Sequence, residues 1–232
     1  SSAASDVYKR QIGNSLDQFN KENLNTSLVR YYDGGSPTAL WAVRSLGINP
    51  SDGRELFLTK EGTYTFEYDT EDEVVVGNSE PKLEGVLGST LYWKGFSFSL
   101  YFRYSLGADV FTEATYNKVE NISLAGLKSN QDKRALHDRW QKPGDHAKFK
   151  GISLTETTPI SSRFVLRENY IKAESISVGY DFESQAVQKL GIQSLRLQAN
   201  TTDLFRISSI KEERGIEYPF ARSFSFSLSA MF

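Results

Sequence analysis

The last eleven residues alternate without a break. From Arg222 to Phe232, Phe224, Phe226, Leu228, Ala230 and Phe232 share one side, and Ser223, Ser225, Ser227 and Ser229 share the other. Side chains of a β-strand point in turn to its two faces, so this period of two demands a strand whose faces meet different surroundings. The pattern recurs. In Phe96–Tyr104 the residues Phe96, Phe98, Leu100, Phe102 and Tyr104 oppose Ser97, Ser99, Tyr101 and Arg103. In Leu195–Thr201, Leu195, Leu197 and Ala199 oppose Arg196, Gln198 and Asn200. Tyr170–Tyr180 starts with Ile171 and Ala173 and resumes on Ile176, Val178 and Tyr180, so its parity changes at Glu174–Ser175, as a β-bulge would cause. Gly85–Trp93 is a weaker copy carried by Leu87, Leu91 and Trp93. These patterns predict strands over 85–93, 95–106, 169–181, 192–203 and 221–232.

Their connections have an order of their own. Trp93-Lys94-Gly95 reads as a tight turn, and Asp181–Gly191 as a moderate one with a helical turn over Gln185–Leu190. Gly107–Phe164 and Phe205–Phe220 are long, polar and rich in Lys, Asp, Asn and Gly. Short and long connections alternate, so every long one falls at the same end of the strands. Transmembrane β-barrels are built this way, with short periplasmic turns and long extracellular loops. Trp93, Tyr180, Phe182 and Phe232 come out at one level, as an interfacial aromatic girdle would.

Composition narrows the choice. The 232 residues carry a formal charge of −2, which argues against a polybasic nucleic-acid binder. Without cysteine there is no disulfide scaffold, thiolate metal site or cysteine nucleophile, and His137 and His146 are the only histidines. No apolar run approaches the ~18 residues of a membrane helix. A barrel strand needs only ~10 alternating residues, which leaves that kind of span open. The competing architecture is a soluble β-sandwich, in this case a secreted carbohydrate-binding or adhesin domain. A sandwich turns its polar face to bulk water and fills it with Lys, Glu and Thr, whereas here that face is mostly Ser with isolated Arg and Gln. The fold class expected is all-β, a partial transmembrane antiparallel barrel with long extracellular loops.

Upstream the pattern fades. Residues 1–11 share no pattern with the rest of the chain and are expected to be an extension foreign to the fold. Ile12–Pro50 shows no sustained period and reads as loop, with a short helix at Ser15–Leu24. Leu56–Leu58 and Thr63–Tyr68 read as a hairpin turning at Gly62, and the acidic run Asp69–Glu73 reads as a solvated turn.

Several blocks coincide with one family. Trp41-Ala-Val-Arg-Ser-Leu-Gly-Ile-Asn-Pro-Ser-Asp-Gly-Arg-Glu-Leu-Phe-Leu58 resembles the W-A-V-x-S-x-G-I-D-P-x-T-G-x-E-x-F segment of SusC/RagA-like TonB-dependent outer-membrane transporters. Val76-Gly-Asn-Ser-Glu-Pro81, Tyr92–Ser99, Arg139-Trp-Gln-Lys-Pro-Gly-Asp145, Tyr170–Tyr180 and Tyr218–Ser225 come in the family's order, over about Gly34–Phe232. Asn49 departs from the usual Asp, at a turn that should accept it. The resemblance implies that residues 12–232 are the C-terminal part of a barrel of about 22 strands. It also implies a plug domain and TonB box outside the matched blocks, energy from the TonB complex, and a SusD-like surface lipoprotein as lid. The substrate would be an oligosaccharide or peptide, in the Gram-negative outer membrane. A piece of this extent should not transport by itself.

Some side chains are candidates for binding. Sugar C–H groups stack on aromatic faces while Arg, Asp and Asn bind hydroxyls, so Tyr31, Tyr32 and Trp41 in one loop and Arg139, Trp140 and Asp145 in another are candidate substrate contacts. The alternative for each is packing of the loops or contact with the lid. Arg103, Arg196 and Gln198 would face the lumen. Phe232, with Leu228 and Phe226, would form the terminal aromatic signal for barrel assembly. No nucleophile elbow, metal-ligand spacing or cofactor motif occurs, so the chain is read as no enzyme, without cofactor or metal.

Overall fold

The computed structural model describes residues 15–23, 28–153, 155–182, 189, 191–211 and 222–232. Two compact units emerge. One joins the chain up to Glu80 with Ala108–Arg167, and the other joins Pro81–Gly107 with Glu168–Phe232.

The first unit is built on a four-stranded antiparallel sheet. Its strands are β1 (Ala39–Ile48), β2 (Glu55–Leu58), β3 (Tyr64–Thr65) and β4 (Glu73–Asn78), in spatial order β3-β2-β1-β4. The central strand β1 corrects the expectation of loop over Ile12–Pro50. It is covered on both faces, with Ala39, Leu40, Ala42 and Val43 all buried, so no alternation marks it. A register shift between Ser45 and Gly47 breaks the period further. The expected hairpin forms as β2 and β3, closed by Gly62 at φ 86°. The helix is present over 15–22. The acidic run makes a single 3-10 turn, Thr70–Asp72, capped by the Asp69 carboxylate on the Glu71 N–H.

The segment expected as a long polar loop is packed. Helical turns at Glu113–Thr115, Tyr116–Glu120 and Arg134–His137 bring Val119, Ala135, Phe149 and Phe164 into one buried cluster. Burying a Val or Phe side chain contributes roughly 1.5–3 kcal/mol, and the Ala135 methyl less. A second cluster holds Leu28, Leu40 and Ala42, with Phe111 packed against both.

Three arginines bind what these clusters leave apart. Arg163 bridges Glu55 (2.8 Å) and Glu120 (3.1 Å), whose carboxylates also accept from Ser161 and Thr158. Arg30 pairs with Glu73 at 2.9 Å. Arg139 donates to the carbonyls of Val119, Glu120, Ala135 and Lys150.

The second unit is the sheet that the alternating segments predict. Strands β5 (Leu83–Trp93), β6 (Phe96–Phe111), β7 (Val165–Phe182), β8 (Ser194–Thr202) and β10 (Phe224–Met231) lie antiparallel in the order β10-β8-β7-β6-β5. A short β9 (Arg206–Ser208) pairs with β7, inside a stretch expected as loop. The register irregularity falls where the parity of β7 changes. Between Lys172↔Arg206 and Ser175↔Thr202 the facing chain carries one residue more than β7, and Asp203 there takes φ 49°. Lys94 and Gly95 adopt φ 46° and 84°, the two left-handed residues of a hairpin turn whose twist matches its strands. The helical turn expected over Gln185–Leu190 lies almost wholly outside the described residues.

Candidate membrane-facing and ligand-binding surfaces

Cross-strand register carries the alternation from one strand to the next. Phe226 faces Ala199, which faces Val178; Leu228 faces Leu197, which faces Tyr180. Leu91 faces Phe98, and Leu87 faces Phe102. One face of the sheet is therefore apolar from β5 to β10. It is also exposed: Phe226 keeps 76% of its surface and Leu228 68%, and Leu87, Leu91 and Trp93 all exceed 60%. No second sheet covers these side chains among the described residues, as a sandwich would require. An exposed apolar face of this extent needs an apolar partner, and hydrocarbon is one.

At the short-turn end the aromatic residues make a chain of contacts. Trp93 is paired with Phe96, whose ring lies 4.5 Å from that of Tyr180, which packs edge-on against Phe182 at 4.7 Å. Phe232 comes directly after the last strand residue, Met231, and is 79% exposed.

The opposite face is polar. Ser225, Asn200 and Ser177 align across three strands, as do Ser227, Gln198 and Gly179. Its charges are tied to neighbouring strands: Arg103 grips Glu174 through Nε and Nη2 (2.8–3.1 Å), and Arg196 approaches Asp181 at 3.4 Å while donating to Ser97. Two glycines make room for neighbours. A Cβ at Gly88 would overlap the Tyr101 ring, and one at Gly179 would meet Ser97 Oγ at 2.5 Å.

Two clefts of the first unit contain predicted contacts. One, of about 700 Å³, is walled by Tyr32 and Trp41 together with Lys60, Glu61, Glu71 and Asp72. The Tyr32 and Trp41 rings are 4.9 Å apart and tilted by 51°. Glu73, at its edge, has its pKa raised by burial, an effect that Arg30 partly offsets. The other, of about 550 Å³, is lined by Trp140, Phe66, Tyr68, Arg54 and Lys150. Arg54 stacks over Phe66 at 4.2 Å, and its Nε pairs with Asp52.

The six sequence-predicted contacts thus separate. Tyr32 and Trp41 meet in the first cleft, and Trp140 stands in the second. Tyr31 is occupied with Phe19 at 5.1 Å and with Asn20, which bonds both its backbone groups. Arg139 is buried and spends its guanidinium on backbone carbonyls, and Asp145 accepts the N–H groups of Gln141 and Lys142 in its own turn. Asn49 works in place of Asp because its Oδ1 accepts the Ser51 N–H, a bond that either residue makes. The acidic wall of the first cleft escaped sequence reasoning, since a charge run alone does not tell which aromatic residues it will face.

The comparisons agree with this geometry. No family model matches the chain. TonB-dependent receptor P39 of Formosa agariphila is 24% identical over 161 residues, 68% of this chain and 15% of that receptor. TonB-dependent receptor P3 of the same organism is 25% identical over 173 residues, 75% of this chain and 16% of its own length. The chain therefore spans about a sixth of the curated relatives it matches. Among solved structures, the RagAB peptide importer in its open-open state aligns over 76% of this chain and 19% of that chain, with a TM-score of 0.62 at 16% identity. The RagAB peptide transporter aligns over 76% and 20%, with a TM-score of 0.63 at 16% identity. Motif blocks, sheet and relatives thus agree: over part of their length the chain is similar to TonB-dependent receptors, and its fold is that of part of a RagA-like β-barrel transporter.

Proposed function

We propose that this chain supplies an arc of barrel wall, together with extracellular segments, to an outer-membrane nutrient importer. The apolar face lies against lipid and the serine-rich face lines the lumen. The importer is energised by TonB through a segment outside this chain and works with a SusD-like surface lipoprotein as its lid. Its cargo is an oligosaccharide or peptide, and the chain performs no catalysis and needs no cofactor. The same reading gives Phe226, Leu228 and Phe232 the role of barrel-assembly signal. Tyr32, Trp41 and Trp140 are the predicted contacts that the clefts leave available to cargo or lid.

One observation carries the reading: a sheet of long strands, apolar and exposed on one face, hydroxyl-rich on the other. Backbone groups in hydrocarbon must all be paired, so such a sheet is stable in a bilayer only within a closed barrel. Among the described residues β5 and β10 each have one neighbouring strand, so closure requires strands beyond this set. The test is deletion of the full-length gene and growth of the deletion strain on oligopeptides or on oligosaccharides as sole nutrient. Loss of growth on one class, restored by the intact gene, is expected. Unchanged uptake of both classes overturns the importer assignment.

A further inference from the structure

The walls of the Trp41 cleft define a ligand chemistry. Tyr32 is half exposed and Trp41 partly so, and their tilted pair turns aromatic surface toward a space of about 700 Å³. Around it stand the carboxylates of Glu61, Glu71 and Asp72, with Lys60 as the one ammonium in the lining. Among the described residues no ion pair engages these three carboxylates; Asp72 accepts only the backbone N–H of Lys60. Glu73 is different, being committed to Arg30. The lining therefore holds a surplus of uncommitted negative charge beside two aromatic rings.

The chemistry of the lining selects the occupant. Thr59, Thr63 and Thr70 in the lining could serve a neutral sugar, but three carboxylates against one ammonium favour an occupant that carries positive charge. A metal ion needs ligands that converge, and among the described residues no three acidic or histidine side chains do so. An ammonium or guanidinium on a flexible stem suits both features, since it donates to carboxylates and is drawn to aromatic faces. We propose that this cleft takes an organic cation, the basic side chain of a lysine- or arginine-containing oligopeptide. The proposal rests on the importer reading and narrows its substrate class.

The test uses the full-length transporter, titrated calorimetrically with Ala-Lys-Ala and with the same peptide acetylated on its lysine. The free lysine peptide should bind about tenfold tighter, and the difference should shrink as salt rises. Glu61 and Glu71 are both exposed, so the E61Q/E71Q double variant should fold normally and reduce the discrimination to about twofold or less. Tyr32→Leu should weaken the free lysine peptide and leave the acetylated one unchanged. Equal affinity for the two peptides, or discrimination that survives E61Q/E71Q, overturns the assignment. If the acetylated peptide is still taken up by cells in that case, the importer reading stands alone; if neither peptide binds or enters, the cation assignment falls, and the importer reading is decided by the oligosaccharide arm of the growth test.

Discussion

The indole N–H of Trp140 donates to the carbonyl of Pro50 at 3.0 Å, and its ring packs against Gly53. The same carbonyl accepts the N–H of Gly144, so one turn anchors a segment 90 residues further along the chain. Two of the blocks that resemble the family, 41–58 and 139–145, are thus halves of one joint. Gly53 is required there twice over, by its φ of 72° and by the absence of a Cβ that would overlap the indole. Gly53→Ala should destabilise the first unit by about 2–4 kcal/mol, from overpacking added to left-handed strain. Gly62→Ala, with a φ of 86° but open space around it, should lose only about 1 kcal/mol. Hydrogen exchange over Asn49–Arg54 and a shift in tryptophan emission distinguish the two. Equal effects would deny the joint its role.

Arg163 closes a different joint. Its guanidinium holds Glu55 on β2 and Glu120 at the end of a π turn, both buried. Arg163→Met leaves two carboxylates without their cation and should cost about 3–5 kcal/mol. Replacing all three charges together with apolar residues of similar volume should cost less than this single change. Denaturant titration of the wild type and the two variants checks the order.

Tyr68 gives the first unit an alkaline limit. Burial, reinforced by Glu73, raises its phenol from 10.0 to about 12, and its hydroxyl donates to the Ile160 carbonyl at 3.2 Å. A folded pKa above the unfolded one means that the stabilisation is complete below pH 10 and is lost as the pH climbs toward 12. Ultraviolet difference titration should show late-ionising tyrosines, Tyr68 and the likewise part-buried Tyr116, of which Tyr68→Phe removes one. Tyr68→Phe should remove that part of the alkaline destabilisation, and a variant that still weakens equally over this range would assign the effect elsewhere.

The two faces of β10 should respond differently to charge. Phe226→Arg in the full-length protein should cost about 2–4 kcal/mol if the position lies near the bilayer midplane, and Ser227→Arg much less. Assembly yield and heat-modifiability on gels in detergent report the difference. Equal tolerance at Phe226 and Ser227 would remove the distinction between lipid and lumen.

The strands of the second unit are legible in the sequence because two unlike surroundings write themselves as a period of two. Strand β1 has a single kind of surrounding on both faces, and its Ala39-Leu40-Trp41-Ala42-Val43 run carries no period to read. The clefts are hidden for another reason. Trp41 meets Glu71 and Asp72 only because β1 pairs with β4, and that pairing is not written in either segment alone. Arg139 resembled a ligand contact since an arginine beside a tryptophan looks the same whether it faces solvent or four carbonyls. Which of the two it faces is decided by Val119 and Glu120, about twenty positions upstream.

The guanidiniums of Arg103 and Arg196 each close onto a carboxylate of the adjacent strand, so what this wall projects is a set of short dipoles instead of free charges. The field of a dipole decays faster with distance than that of a charge, and a solute a few ångströms away would sense mainly hydroxyl and amide groups. Along these strands a cationic and an anionic cargo would meet much the same potential. If this face lines the lumen as proposed, any preference between them has to come from groups other than these two pairs.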